Sequence, residues 1–587
     1  MKVRRTVAAL SSLAATAALL VTATPFSEAA GPPKPSPTPA TRVVIVLFDQ
    51  MVPEYADKFA MPNFRALRGS GTNFNKAYLG YMASETVMAH NVITSGLEPR
   101  HMGWTDEAFR DHANVFGKGV DAMHITGDLS LDDFAKLEKN KNGVPYLKLA
   151  DYLHTSRPGT KFITVGEKGY AVESATGATG DIAVRMSDRQ SNVTDAWPNG
   201  CTNLSIPGVP GNGRWRYPFG KNVPDYLTRS DPNDPTLCGR YYVNSDKGND
   251  YGTKAAFPSW LYQGEGNRFV PGNDEDHLGG DTWAADAAIE MMENENWSGM
   301  FITLGGIDKA AHMWGAQDDN AQVDCRTLAG QTHTRCNAEN ADVQLGKILD
   351  EIKKVDARKG GHTLVVLTAD HGATYAKDFY GKTTVDASNS NWYYAPKATG
   401  VWDAGTKGSL DTSTYSNPSP AIAVLSGDDN VQFSYQSTAI EAWLFDHSPA
   451  KNQAKAKQML GMPGVIATYW KNAAGTAFKL QGTNKMTKSE KDWWQAHAQE
   501  IVNTMAADNG PDVVALLHDK TGYGVYGDHG GAQESVQRVP MVFWMSGGRA
   551  NLTNESFKTP DVMPTILRAM GIQPTTPMDG RAHSLGR

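Results

Sequence analysis

The chain has 587 residues, with 56 basic and 63 acidic side chains and a formal charge of −7. At about 150 residues per domain, its length suggests three or four domains' worth of polypeptide, enough to bury a core without a disulfide scaffold. A 40% hydrophobic and 20% charged composition excludes a disordered chain. The acidic balance excludes a nucleic-acid polymer as main partner, because phosphate backbones call for a basic face.

Lys2, Arg4 and Arg5 precede an apolar run from Val7 to about Val21, with small residues from Ala23 to Ala30. This is the layout of a signal peptide over 1–30, cleaved near residues 23–30. The run is shorter than the roughly 20 residues a spanning helix needs. The Arg4-Arg5 pair leaves general secretory and twin-arginine export both open. Losing Lys2, Arg4, Arg5 and Glu28 takes the formal charge from −7 to −9. Residues 31–40 (GPPKPSPTPA) read as an extended proline-rich linker. No later stretch is apolar enough to span a bilayer, so the expected location is secreted or periplasm-like. Cys201, Cys238, Cys325 and Cys336 then face an oxidising compartment, and the local pairings Cys201–Cys238 and Cys325–Cys336 are favoured. No close C-x-x-C pair supports a zinc-thiolate site.

Val43–Phe48, Phe162–Val165, Met300–Leu304, Thr363–Thr368 and Met541–Trp544 are short apolar runs that read as buried strands. Helical spacing falls between them, at Ala284–Asn294 and Val343–Ile352. Asp561 is placed to cap a helix through Leu567, with Pro564 in its first turn. The alternation predicts an α/β sandwich with a mostly parallel central sheet flanked by helices, over residues 41–587. Two regions break the rhythm, at about 175–280 and 376–520. They read as insertions that cap the cleft; the second mixes polar loop with helical pieces such as Ile440–Phe445 and Lys488–Met505.

Three strands end in acids or histidine: Asp49 after the first, Asp308 after Met300–Leu304, and Asp370-His371 after Thr363–Thr368. Ligands in such sheets bind beyond the carboxyl ends of the strands. One acid there is commonly a turn or helix cap; three with one polarity point to a site. Asp308 and His312 are spaced i, i+4, and Gly527–Gly531 sets His529 in a flexible loop. Carboxylate and imidazole together suit zinc and similar divalent ions, and two ions would clamp the attacking and leaving oxygens of a displacement at phosphorus. A helix from about Val87 to Ser95, ended by Gly96, would put Ser84 or Thr86 at its N-terminus. There a hydroxyl is either a plain cap or a nucleophile facing phosphate.

The ordered set resembles the alkaline phosphatase superfamily, most closely its nucleotide pyrophosphatase/phosphodiesterase branch. Asp49 matches the first metal acid of that family, and Thr86-Val87-Met88-Ala89-His90 its T-x-x-N/G-H nucleophile segment. Ser95–Pro99 is similar to T-G-x-x-P, Asp308-x-x-x-His312 to D-x-x-G-H, Asp370-His371-Gly372 to D-H-G and His529-Gly530 to the late G-x-H-G. The C-terminal Asp561–Leu567 and Asp579-Gly580-Arg581 also fit. The resemblance implies an alkaline-phosphatase-like fold and two divalent ions, most simply Zn2+. Asp308, His312 and His529 would hold one, and Asp49, Thr86, Asp370 and His371 the other. Thr86 would form a phospho-threonine that water hydrolyses.

Three departures bear on substrate. Ala89 stands where the diesterase branch has a phosphate-binding Asn. His101 is displaced by one from the P-x-x-H-G pattern. Lys168 lies where monoesterases carry a phosphate-binding lysine, with an exposed lysine as the alternative. The sulfatase C-x-P-x-R motif is absent. The expectation is a secreted, metal-dependent phosphodiesterase or nucleotide pyrophosphatase acting on small phosphoesters. A phosphomonoesterase or phosphonate hydrolase is the alternative, a non-catalytic metal-binding surface protein a more distant one, and a phosphosugar mutase fits export poorly.

Overall fold

The computed structural model describes residues 38–586, apart from 127–128, 140–142, 187–217, 228–275, 315, 317–324, 326–333, 375–422, 524–526, 547 and 549. Its centre is strand β1 (Arg42–Phe48), whose seven residues are all buried. Continuous Val, Ile, Leu and Phe without polar alternation suit a strand covered on both faces. Around it the remaining strands of a nine-stranded sheet assemble: β2 (Thr72–Tyr78), β3 (Lys161–Gly166), β4 (Ile182–Met186), β5 (Pro218–Lys221), β6 (Trp297–Leu304), β7 (Thr363–Thr368), and later β13 (Met541–Met545) and β14 (Asn551–Lys558). The order is β14-β2-β13-β7-β1-β6-β3-β4-β5. The run from β7 through β1, β6 and β3 to β4 is parallel, so these five strands end on one edge. β13 is antiparallel to β7 and β2, and β5 to β4.

Helices carry the crossovers and pack on the sheet. They are α1 (Thr86–Ser95), α2 (Gly169–Thr176), α3 (Asp276–Asn294), α4 (Gly306–Trp314) and α5 (Thr334–Lys359). α3 packs on β6 and against α5, and α1 against α2. The expected strands and helices of the core all form. Gly96 ends α1 in the left-handed conformation, its N–H on the Val92 carbonyl. Its own carbonyl accepts the N–H groups of Asp579 and Gly580, which docks the chain's last segment onto α1.

Asp561 precedes α7 (Val562–Met570), but its carboxylate does not cap it. It accepts instead from the backbone N–H of Lys558 and of Arg581, at 3.0 and 2.8 Å, and pairs with His583 Nε2 at 2.8 Å.

The region after 422 holds a second, five-stranded antiparallel sheet. Its strands are β8 (Val431–Gln436), β9 (Ala439–Leu444), β10 (Val465–Lys471), β11 (Phe478–Thr483) and β12 (Val513–Leu517), in the order β8-β9-β12-β10-β11. Helix α6 (Pro449–Met459) covers one face. Along β12, Val513, Ala515 and Leu517 join a small core with Met459, while Val514 and Leu516 join the main core. This two-residue alternation is that of a strand packed on both sides. Ile440–Phe445, expected as a helical piece, is therefore strand β9 through Leu444. Lys488–Met505 is helical through Asn503, with one π-helical turn at Trp494–Ala498. The Cys325–Cys336 disulfide is present, whereas Cys201 and Cys238 lie outside the described residues.

Candidate metal centre and active site

The aligned strand ends bring the sequence-predicted residues together. Asp49 follows β1, Asp370 and His371 follow β7, and Asp308 sits in the first turn of α4, just after β6. Asp49, Asp308, Asp370 and His371 are wholly buried, and Thr86 and His529 nearly so. Ligand-type atoms of Asp49, Asp370 and His371 lie within 4.8 Å of one another, as do those of Asp308, His371 and His529. His312 belongs to α4, but its side chain is outside the described residues.

His371 occupies the middle. Its Nδ1 donates to the Gly372 carbonyl at 3.1 Å. Burial, and then the neighbouring His529, push its pKa well below the ordinary value, so the ring is neutral. Its Nε2 lone pair then faces Asp49 Oδ1 and Asp370 Oδ2, both at 3.6 Å, and Thr86 Oγ1 at 3.4 Å. Asp370 Oδ1 accepts the N–H groups of Gln50 and His371, but its buried Oδ2 has no hydrogen-bond partner. Burial, followed by Asp370, drives the Asp49 carboxyl well above the ordinary carboxylate range. Acceptors converging on a dry point repel one another unless a cation stands among them.

The His529 ring stacks on that of His371, centroids 3.6 Å apart. Its Nδ1 lies 2.8 Å from Glu85 Oε2 and 3.1 Å from the Ser84 carbonyl, and its Nε2 lies 3.4 Å from Asp308 Oδ1. Burial opposes protonation, but Glu85 and Asp308 outweigh it and raise the imidazole pKa well above normal. A carboxylate on the far nitrogen is the arrangement that orients a metal-ligating histidine. Ser84 Oγ accepts the N–H groups of Gly530 and Gly531 at 3.1 and 2.7 Å, pinning this loop. Gly530 has φ +90, and a Cβ on it would lie 2.0 Å from Glu85 Oε1. A Cβ on Gly372 would lie 2.1 Å from the Ser535 carbonyl. Both motif glycines therefore let backbone pass where a side chain would collide.

Lys168, two residues beyond β3, is buried rather than exposed. Its Nζ is 2.6 Å from Asp49 Oδ2, 2.5 Å from Asp308 Oδ2 and 3.4 Å from Thr86 Oγ1. Burial works against its charge, yet Asp308 and Asp49 outweigh it and lift its pKa well above the lysine norm. Three carboxylates and two imidazoles converge around this ammonium, so the donor set fits divalent cations in its chemistry.

His90 is no ligand. It is buried, its Nδ1 donating to the Thr86 carbonyl at 2.6 Å and its Nε2 accepting from Thr303 at 2.8 Å. Burial drops its pKa to about 3. It anchors the start of α1 to β6. Ala89 is buried in the same helix. His101 lies apart from the centre, its Nδ1 2.8 Å from Asp579 Oδ2. Ser84, named beside Thr86 as a candidate hydroxyl, instead pins the His529 loop, and Glu85 is the site residue that sequence reasoning missed; its only signal is adjacency to Thr86.

A family model described as type I phosphodiesterase/nucleotide pyrophosphatase matches residues 43–124. An alkaline phosphatase, PhoK, from Sphingomonas sp is 22% identical over 574 residues, covering 93% of this chain and 91% of that protein. The crystal structure of wild-type alkaline phosphatase PafA superposes with a TM-score of 0.52 at 14% identity, covering 93% of this chain and 99% of that one. That likeness extends to the fold: a large, mostly parallel sheet flanked by helices. The motifs in chain order and the geometry they adopt agree with these similarities, to a phosphodiesterase/nucleotide pyrophosphatase family model, to an alkaline phosphatase in sequence and to another in fold.

Proposed function

We propose that this protein is an exported phosphoester hydrolase holding two divalent ions, with Thr86 as nucleophile and phosphomonoesters as preferred substrates. Asp49, Asp370 and His371, with Thr86, would hold one ion; Asp308, His529 and His312 would hold the other. Zn2+ suits this mix of imidazole and carboxylate. Bound there, the ions would supply positive charge for the reacting oxygens and lower the pKa of the Thr86 hydroxyl. Thr86 stands at the first turn of α1, whose N–H groups favour a phosphoryl group. The hydroxyl would attack phosphorus, expel the leaving alcohol and carry a phospho-threonine until water releases phosphate.

The observation that carries the monoester preference is the Lys168 ammonium, 3.4 Å from Thr86 Oγ1. A monoester presents three non-bridging oxygens and up to two charges; a diester presents two oxygens and one charge. A buried cation beside the nucleophile matches the third oxygen. Ala89 supports the same reading, because it cannot donate the hydrogen bond that an Asn there would give a phosphate oxygen in the diesterase branch. The diester or pyrophosphate reading is favoured by the family model over residues 43–124. The Cys325–Cys336 disulfide suits an oxidising compartment, and no described helix is long and apolar enough to cross a membrane.

Rates on aryl phosphate monoesters and bis-aryl diesters, with metal content measured on the same samples, test this reading. Thr86→Ala should abolish turnover of both. Lys168→Ala should depress kcat/KM for monoesters by at least 10-fold more than for diesters. Undiminished turnover by Thr86→Ala removes the nucleophile assignment, and equal losses on both substrates remove the monoester preference.

A further inference from the structure

Gln50 is wholly buried directly after Asp49 and adopts φ +61, a left-handed backbone that is costly without glycine. Two contacts account for its conformation. Its N–H donates to Asp370 Oδ1 at 3.0 Å. Its side-chain amide Nε2 donates to the carbonyl of Gly527, two residues before His529 and 477 residues along the chain. Gly527 in turn lies so close to α4 that a Cβ on it would sit 2.3 Å from the Ala311 carbonyl. Meanwhile Gln50 Oε1 is buried with no hydrogen-bond partner. A strained backbone and a half-satisfied amide are poor choices for stability alone.

We infer that Gln50 is a positioning residue that sets the spacing between the Asp49–Asp370–His371 group and the loop carrying His529. One residue holds both halves: its backbone fixes the Asp370 carboxylate, and its side chain holds the loop of the opposite ligand against α4. Thr374, four residues after Asp370, also bonds this loop, at the Asp528 carbonyl, but Gln50 is bonded to the Asp370 carboxylate itself. This rests on the two-ion reading above. Gln50 would touch neither substrate nor ion; it acts through the residues it fixes.

The test uses the full chain and two variants. Gln50→Gly keeps the N–H on Asp370, suits φ +61 and deletes only the amide link. Gln50→Ala deletes the link and keeps the backbone strain. Zinc binding is titrated against a chromogenic chelator, and melting temperature is measured without metal. The expected result is one zinc site weakened by about 10–100-fold in both variants, with the other retained. The metal-free Gln50→Gly chain should melt no lower than the unaltered protein. Unchanged affinity at both sites in a folded variant overturns the inference and leaves the two-ion reading standing. Failure of both variants to fold also overturns it, since Gln50 would then be a folding residue. An unaltered protein that binds no zinc overturns the two-ion reading and this inference with it.

Discussion

Glu85 and Lys168 hold the electrostatics of the centre from opposite sides. Glu85 Oε2 takes Nδ1 of His529 at 2.8 Å and leaves Nε2 directed at Asp308. Burial pushes the Glu85 carboxyl up, and the imidazole opposes the shift. Glu85→Gln keeps the shape but weakens that hold. The expected outcome is a 10–100-fold loss of affinity at one ion site, read as metal retained after dialysis against a weak chelator. Retention equal to that of the unaltered protein would show that Glu85 does not orient the ring. The strand-end acids were legible because each follows an apolar run within four residues. Lys168 was open to two readings, since a lone lysine is ordinarily solvated. Its burial comes from Asp49 and Asp308, 119 and 140 residues away in sequence, and no local pattern encodes those partners.

Among the elements, the parallel strands are readable because doubly covered strands are apolar without a break. β9 is different. Its sequence AIEAWL contains good helix formers and is too short for periodicity to decide. Pairing with β8 and β12 makes it a strand, and that pairing is non-local. Asp512, just before β12, ties this sheet together. It bonds Arg110 Nη2 at 2.8 Å, Lys471 Nζ at 3.0 Å and the Leu444 N–H at 2.9 Å. Burial opposes its charge, but Lys471 and Arg110 outweigh burial and lower its pKa. Burial leaves Lys471 below the lysine norm despite Asp512, yet at acid pH that amine is charged in either state. The pH effect therefore follows the carboxylate. Its folded pKa lies below the unfolded value of about 3.9, so its contribution is complete above about pH 5 and fades as pH falls through the folded pKa. Asp512→Asn should cost about 3–5 kcal/mol near neutral pH, because it strands two buried cations. It should also flatten the acid limb of a denaturant-midpoint profile. An unchanged limb would place that acid sensitivity elsewhere.

For the whole molecule, the length that suggested several domains is distributed between a nine-stranded sheet and a smaller five-stranded one. We propose that the smaller sheet and the segments around it are insertions in one catalytic domain, placed after a removable leader. The net charge is a poor guide to the pocket, where three carboxylates gather around one lysine. If two ions neutralise them, ion binding must stabilise the fold. Each ion at 1,000 times its dissociation constant would add about 4 kcal/mol. Stripping with a strong chelator should lower the melting temperature, and restored zinc should return it in a concentration-dependent way. A melting temperature indifferent to chelation and to zinc would count against ions at this centre.

The docking of Asp579 and Gly580 onto the end of α1 has a consequence for timing. β2 cannot complete its pairing until β13 and β14 arrive, and the ligand-type residues run from Asp49 to His529. A chain emerging from synthesis therefore carries the parts of the centre without the centre. The centre is complete only once the segment from His529 onward has settled, so a partly made chain cannot assemble it.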